Sequence, residues 1–128
     1  MKNYLNPFLK IKQTKNKGLG IFTLQKIEAN TLIEIAPVIV LNTLDTKKIH
    51  QTHLHDYYFS WGDNQKKSAI ALGYVSIYNH SKNPNCYHEC DFENNTISIF
   101  SKENIKAGAE LFIDYTMGED KELWFIET

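Results

Sequence analysis

The chain has no arginine and only two cysteines. All 14 basic residues are lysines, and the net charge of the 128 residues is −1. Arginine is the preferred side chain for reading guanine edges and phosphates, so this composition argues against direct nucleic-acid binding. Cys86 and Cys90 are too few for the disulfide framework of a small secreted domain.

Long apolar runs are also missing from the sequence. No stretch approaches the ~20 apolar residues of a membrane-spanning helix, and the first residues lack the apolar core of a secretory signal. We therefore expect no membrane association and an intracellular location, cytoplasmic or nuclear. Apolar residues make up 42% and charged residues 23%, as in globular proteins, and the length suits one domain over residues 1–128.

Short runs of β-branched and aromatic residues, separated by turn residues, predict a mainly β fold with little helix. A helix is predicted over Leu44–His53, capped by Thr43 or Asp45, and a short one after Gly118. Asn94 and Asn95 predict a tight hairpin, because asparagine tolerates positive φ. The clearest strand candidates are Phe8–Ile11, Leu32–Ile35, Val38–Leu41 and Thr96–Phe100.

One pattern occurs twice, 78 positions apart, and predicts two similar β units near the two ends of the domain. Each copy reads as a strand, a turn and a second strand. The first copy has Phe22, Ile27, Ala29, Asn30 and Ile33; the second has Phe100, Ile105, Ala107, Gly108 and Leu111.

Three segments could carry chemistry. Tyr78–Cys86 is too polar for a core and, with Pro84, too rigid for a casual linker, so it is either a surface turn or a loop that holds a polar ligand. The segment Gly108–Tyr115 ends a strand in a tyrosine, which is usually a packed aromatic. Lys17–Gly20 contains Gly-x-Gly without the rest of a dinucleotide fingerprint, and indicates only a close approach of the backbone.

A metal site is an alternative interpretation. Cys86, His88 and Cys90 alternate along a predicted strand and would share one face, with histidines 50, 53 and 55 not far away in sequence. Zinc takes such ligands in tetrahedral sets. However, structural zinc sites usually draw on closely spaced cysteine pairs, and a strand with one apolar face explains the alternation equally well.

Taken in order, Gly-x-Gly, Asn-His-Ser-x-x-Pro-Asn and Gly-x-Glu-Leu-x-x-Asp-Tyr resemble the motif series of SET-domain lysine methyltransferases. The match covers Phe8 to Tyr115, and it is closer still to the miniature SET proteins of chlorella viruses and to small stand-alone bacterial SET proteins. The resemblance implies a β-clip-like SET fold, in which several small sheets surround a knot-like crossing of residues 79–85 with the chain before Tyr115. The core would span about 8–115, and the tail 116–128 would close the substrate channel.

The resemblance also implies a site for S-adenosylmethionine (SAM) and a channel through which a lysine of a protein substrate enters from the opposite face, with a histone as one candidate substrate. Tyr115 would be the catalytic residue, and no metal would be needed. The channel walls would come from Tyr57, Phe112, Ile113 and Leu123. The cofactor would be held by Lys17, Gly18, Leu19, Gly20, Tyr78, Asn79, His80, Tyr115 and Trp124.

The chain departs from the family pattern at several positions. Lys82 stands where many relatives have cysteine, and no cysteine follows Cys90, so the zinc found after the domain in those relatives is not expected. Leu123 replaces a tyrosine of the viral proteins. Ile113 stands where relatives place Phe or Tyr, so we expect transfer to pass the monomethyl stage. The alternatives are a non-catalytic SET-fold peptide-binding module and a small zinc-binding β module; an apolar tail could also seal a homodimer.

Overall fold

The computed structural model describes residues 3–62 and 66–115. None of the helices in this part is long and apolar enough to cross a membrane. Two 3₁₀ turns cover His53–Asp56 and Val75–Ile77. The other elements are β1 Tyr4–Leu5, β2 Leu9–Gln13, β3 Leu19–Thr23, β4 Leu32–Leu41, α1 Thr43–His50, β5 Tyr58–Trp61, β6 Lys67–Ala71, β7 Asn79–His80, β8 Cys86–Asp91, β9 Thr96–Ser101 and β10 Glu110–Ile113.

These strands form two sheets, which confirms the predicted mainly β fold. The first has the order β5-β6-β4-β9-β8, with β1 paired to β4. The second has the order β2-β3-β10-β7. Neighbouring strands are antiparallel in both sheets, except that β7 and β10 run parallel. The fold therefore brings two segments far apart in sequence side by side at one edge of the second sheet.

Strand β4 is one strand of 10 residues, where the sequence predicted two short ones. Its first half pairs with β9 up to Pro37, and its second half pairs with β6 from Val38 onward. Pro37 lacks an N–H, so it suits the point at which the strand changes partners. Its carbonyl accepts a hydrogen bond from the Leu72 N–H at 3.0 Å.

The predicted helix exists, but its cap and its end were wrong. Asn42, rather than Thr43 or Asp45, is the N-cap: its side chain accepts from the Asp45 N–H at 2.8 Å. The helix ends at His50, because Thr52 caps a separate 3₁₀ turn by accepting from the Leu54 N–H at 3.1 Å. The helix predicted after Gly118 lies outside the described residues.

The predicted hairpin and the repeated pattern are both confirmed. Asn95 has φ 54° in the turn that joins β8 to β9. The two copies of the repeated pattern bond to each other: the Ile27 N–H donates to the Ile105 carbonyl at 2.9 Å, and the Ile105 N–H donates back at 2.8 Å. Asn30 and Gly108, which occupy the same turn position in the two copies, have φ of 62° and 86°.

Buried side chains of both sheets form the core and hold β10 in place. Strand β10 alternates strictly: Leu111 and Ile113 are fully buried, whereas Glu110 and Phe112, on the other face, are half-buried. Isoleucines of β3 and β9 pack in the same cluster. Because the core fixes β10, it also fixes the position of the chain that follows it, including Tyr115.

The segment 79–85 is bonded along the length of β10. Asn79 is paired with Phe112, and His80 with Ile113. Beyond β7, the Asn85 side chain replaces a strand partner, since its Oδ1 accepts from the Phe112 N–H at 2.8 Å and its Nδ2 donates to the Glu110 carbonyl at 2.8 Å. The expected approach of this segment to the chain before Tyr115 is therefore confirmed.

We expect Asn85→Ala to destabilise the protein by about 2–4 kcal/mol, because two partly buried main-chain groups of β10 lose their partner at about 1–3 kcal/mol each. Urea denaturation measures the free energy of unfolding. Asn83→Ala, at an exposed position of the same loop, is the control and should change stability by less than about 0.5 kcal/mol. Equal effects of the two substitutions would contradict this role of Asn85.

Candidate active site

Tyr115 follows β10 and is held at both ends. Its hydroxyl donates a short hydrogen bond to the main-chain carbonyl of Tyr78. Its N–H donates to Nδ1 of His80 at 3.0 Å. The ring makes an edge-to-face contact with Phe59, with centroids 6.1 Å apart. The hydroxyl of Tyr115 is therefore set in one place by contacts with two separate parts of the chain, residues 78–80 and β5.

His80 supports Tyr115 from behind. The histidine is 5% exposed, and because Nδ1 accepts the Tyr115 N–H, the neutral ring carries its proton on Nε2. The Asp114 carboxylate lies 3.6 Å from the same Nδ1. His80, predicted as a cofactor-binding residue, thus has its imidazole engaged with the main chain of Tyr115 and is not part of the cavity wall described next.

A cavity of about 290 Å³ opens beside Tyr115. Residues from the three sequence motifs line this cavity together. Tyr57, which was predicted to line the substrate channel, lines it as well. Ser76 and Ile77, from the 3₁₀ turn before β7, complete the wall. The predicted cofactor residues in the wall are Lys17, Gly18, Leu19, Asn79 and Tyr115.

The two glycines of the Lys17–Gly20 loop have different tasks. Gly18 has φ +74° and open space where a Cβ would be, so the bare backbone faces the cavity. Gly20 is packed instead: a Cβ there would lie 2.6 Å from Oε2 of Glu110 and 3.0 Å from Nδ2 of Asn79. Only glycine allows β3 to come this close to both side chains.

Asn79 is fixed by Glu110, a residue that the sequence did not assign to the site. The Asn79 Nδ2 group donates to the Glu110 carboxylate at 2.7 Å and to the Leu19 carbonyl at 3.1 Å. With both amide protons used, the side chain can offer only its Oδ1 to a ligand. Strand alternation is the signal that could have found Glu110, because it shares a face with Phe112, and Phe112 is paired with Asn79.

Several other predicted residues lie outside the cavity wall. Phe112 lies beneath Lys17, whose Nζ is 4.5 Å from the ring centroid. Ile113 is fully buried in the core, as is the ring of Tyr78, which contributes its carbonyl to the site. The assigned roles of Phe112 and Ile113 stay predictions. Leu123 and Trp124 lie outside the described residues.

The alternating residues Cys86, His88 and Cys90 share one face of β8, as predicted. Burial raises the pKa of the Cys86 thiol to about 12 and lowers the pKa of His88 to about 4, so both side chains are neutral near pH 7. His88 packs against Phe59, with ring centroids 5.6 Å apart. Within residues 3–62 and 66–115, no three His, Cys, Asp or Glu side chains are close enough to hold a metal ion.

Comparison with known proteins gives the family. The family model of the SET domain matches residues 18–116 of this chain. The histone-lysine N-methyltransferase of Schizosaccharomyces pombe that is specific for lysine 37 of H3 is 38% identical over 118 residues, covering 91% of this chain and 76% of that protein. A histone-lysine N-methyltransferase of Zea mays is 34% identical over 77 residues, covering 58% of this chain and 9% of that protein.

A solved structure agrees with the family model and with these relatives. The crystal structure of a provisionally assigned histone methyltransferase of Plasmodium falciparum superposes with a TM-score of 0.69 at 29% identity, covering 87% of this chain and 95% of that one. The family match includes the glycine loop, Asn79 and Tyr115, which line one cavity, and His80, which supports Tyr115 from behind. The chain therefore belongs to the SET-domain methyltransferase family.

Proposed function

We propose that this chain transfers methyl groups from SAM to the side-chain amine of a lysine in a protein substrate. The observation that carries the proposal is the Tyr115 hydroxyl, anchored to the Tyr78 carbonyl and facing the cavity that the Gly18 loop and Asn79 also line. Methyl transfer needs two reactants held in line and shielded from water, more than it needs a strong acid or a metal. A rigid hydroxyl, a bare backbone loop and a fixed amide suit that task.

The residues present fit SAM at one end of this cavity. Gly18 has no side chain to obstruct the methionine part, and the only hydrogen-bonding atom left on the Asn79 amide is Oδ1, an acceptor suited to an ammonium group. Lys17 brings a cation to the same wall, where a carboxylate would be favoured. SAM supplies a methyl group that its sulfonium already activates; as the amine nitrogen bonds to that carbon, the carbon–sulfur bond breaks and sulfur keeps the electron pair.

The lysine amine must lose a proton before it can react, since its ordinary pKa is about 10.4. A channel that removes water lowers the pKa of an amine, and the released proton passes to solvent. Because the Tyr115 hydroxyl donates to the Tyr78 carbonyl, its oxygen is left to accept from the amine and orient the nitrogen lone pair. Tyr115 thereby acts as an orienting group and need not remove the proton itself.

A histone tail is the first substrate to test, because relatives from fission yeast and maize are named as histone-lysine methyltransferases. Tyr57, which is 43% exposed and lines the cavity, is our candidate for a wall of the channel that admits the substrate lysine. We further propose that the protein acts inside the cell, without direct nucleic-acid or membrane binding. Three finer points stay predictions: transfer past the monomethyl stage, a homodimer, and special closeness to the chlorella virus proteins.

Tyr115→Phe should lower kcat at least tenfold with little change in the Kd for SAM, because the variant keeps the ring and loses only the hydroxyl that orients the amine. Transfer of label from SAM to a mixture of histones and cell lysate measures kcat, and calorimetry measures Kd. Tyr87→Phe, which removes a hydroxyl from a ring stacked on Phe100, is the matched control.

The outcomes separate the alternatives. Wild-type protein that binds SAM but labels no protein would favour the non-catalytic peptide-binding module. Wild-type protein that does not bind SAM would contradict the assignment of the site. Full activity in Tyr115→Phe would contradict the role of its hydroxyl.

Glu110→Ala should weaken SAM binding about tenfold or more, because a hydrogen bond to a charged group is worth about 1.5–3 kcal/mol and its loss frees the Asn79 amide to rotate. Calorimetric titration with SAM gives the Kd. Glu89→Ala, an exposed glutamate on β8, is the control and should bind SAM as the wild type does. An unchanged Kd in Glu110→Ala would show that the carboxylate does not set the Asn79 amide.

A further inference from the structure

A carboxyl group with no part in the cavity wall is buried near the start of β4. Glu34 is 2% exposed, and its Oε2 accepts from the Tyr74 N–H at 2.8 Å. Gly73 has φ +66°, and a Cβ at this residue would collide with the same oxygen of Glu34. The turn at residues 73–74 is thus closed directly onto Glu34.

The far end of the following segment reaches the same carboxyl. The Tyr78 ring is fully buried, and its hydroxyl is close enough to Glu34 to lower the pKa of that carboxyl. Neither the Tyr78 hydroxyl nor Oε1 of Glu34 has a hydrogen-bond partner among the described residues. Two buried polar atoms without other partners, side by side, are best satisfied by each other.

Residues 74–78 thus begin at a hydrogen bond to Glu34, made by the Tyr74 N–H, and end at Tyr78, whose hydroxyl lies near the same carboxyl. The middle of this segment, Ser76 and Ile77, lines the cavity. Its last carbonyl, that of Tyr78, accepts the Tyr115 hydroxyl. A change at Glu34 would shift the main chain that faces the reacting groups, whereas the Asn79 amide is held separately by Glu110 and the Leu19 carbonyl.

We propose that Glu34 is a positioning residue for methyl transfer: its buried carboxyl holds both ends of residues 74–78 so that the Tyr78 carbonyl stays against the Tyr115 hydroxyl. The ionised carboxylate accepts from the Tyr74 N–H and the Tyr78 hydroxyl together, and this is the form that supports the reaction. The inference rests on the proposed function. It concerns kcat and leaves SAM binding unaffected.

The protonation of Glu34 matters because burial raises its pKa to about 7, even though the Tyr74 N–H and the Tyr78 hydroxyl lower it. The titratable group that faces Glu34 is the Tyr78 hydroxyl, which in turn faces the Cys86 thiol. The pKa of that hydroxyl is raised well above its ordinary value and that of the thiol is raised to about 12, so both are neutral near pH 7. Glu34 is accordingly the group of this cluster that changes charge near neutral pH.

The test compares Glu34→Ala, Glu34→Gln and Tyr78→Phe with the wild type in kcat between pH 6 and 9 and in the Kd for SAM. Glu34→Ala should lower kcat about tenfold or more and leave Kd within twofold. In the wild type, kcat should rise with pH near pH 7 as Glu34 ionises. Glu34→Gln keeps the size and an acceptor, so it should recover most of kcat and lose this rise of kcat. Tyr78→Phe keeps the main-chain carbonyl but removes the hydroxyl, which lowers the pKa of Glu34. The rise of kcat should therefore move to higher pH.

A second measurement is independent of activity. Since the folded-state pKa of Glu34 is raised above its unfolded value, the wild type should lose stability as the pH rises from about 4.5 to 7, and Glu34→Gln should not show this component. Active wild type, with a pH profile that neither Glu34→Gln nor Tyr78→Phe changes, would overturn this inference alone. Wild type without any methyl transfer would overturn the proposed function, and the inference with it.

Discussion

The parallel pairing of β7 with β10 is the constraint on which the site depends. A two-residue strand, Asn79–His80, is by itself too short to hold a sheet together. Here it is supported by the Asn85 side chain, which bonds two main-chain groups of β10, and by the buried Leu111 and Ile113, which fix β10 in the core. This pairing sets Asn79 in the cavity wall and His80 behind Tyr115. The contacts of Asn79 with Glu110 and of His80 with Tyr115 depend on it.

Each wall of the cavity is fixed by a buried or partly buried carboxylate. Glu110 fixes the Asn79 amide on the side of the glycine loop, and Gly20 leaves the space that the carboxylate needs. Glu34 fixes the turn at residues 73–74 on the side of Tyr115, and Gly73 leaves the space there. The two arrangements share one feature. In each, a glycine leaves room for a carboxylate, and the carboxylate fixes a segment that contributes to the cavity. In our account one serves the cofactor and the other the orientation of the reacting groups.

Much of this could be predicted from the sequence. Strand alternation and turn residues indicated a mainly β fold, and the order of the three motifs indicated the family. The sequence failed where a long-range contact decides local structure. The extent of β4 depends on two different partners on either side of Pro37, and the end of α1 depends on Thr52 starting a new turn. Local propensity does not contain that information.

The site was predicted only in part for the same reason. The glycine loop, Asn79 and Tyr115 share one cavity, as the motif order implied. Glu34 lies 44 residues before Tyr78 in the chain and reads as one polar residue in an apolar strand. Its relation to Tyr78 arises from the turn at residues 73–74, which is bonded to β4 through the Tyr74 N–H. The proposed roles of Phe112 and Ile113 depend on where a substrate lysine lies.

The most direct test is a crystal structure with S-adenosylhomocysteine, the product that SAM becomes after methyl transfer. Our account predicts that its amino-acid part lies against Gly18 with the ammonium on Oδ1 of Asn79, and that its sulfur points toward the Tyr115 hydroxyl. A ligand that binds instead in the second cavity, between Lys82 and Lys102, or that fails to bind at all, would contradict the account.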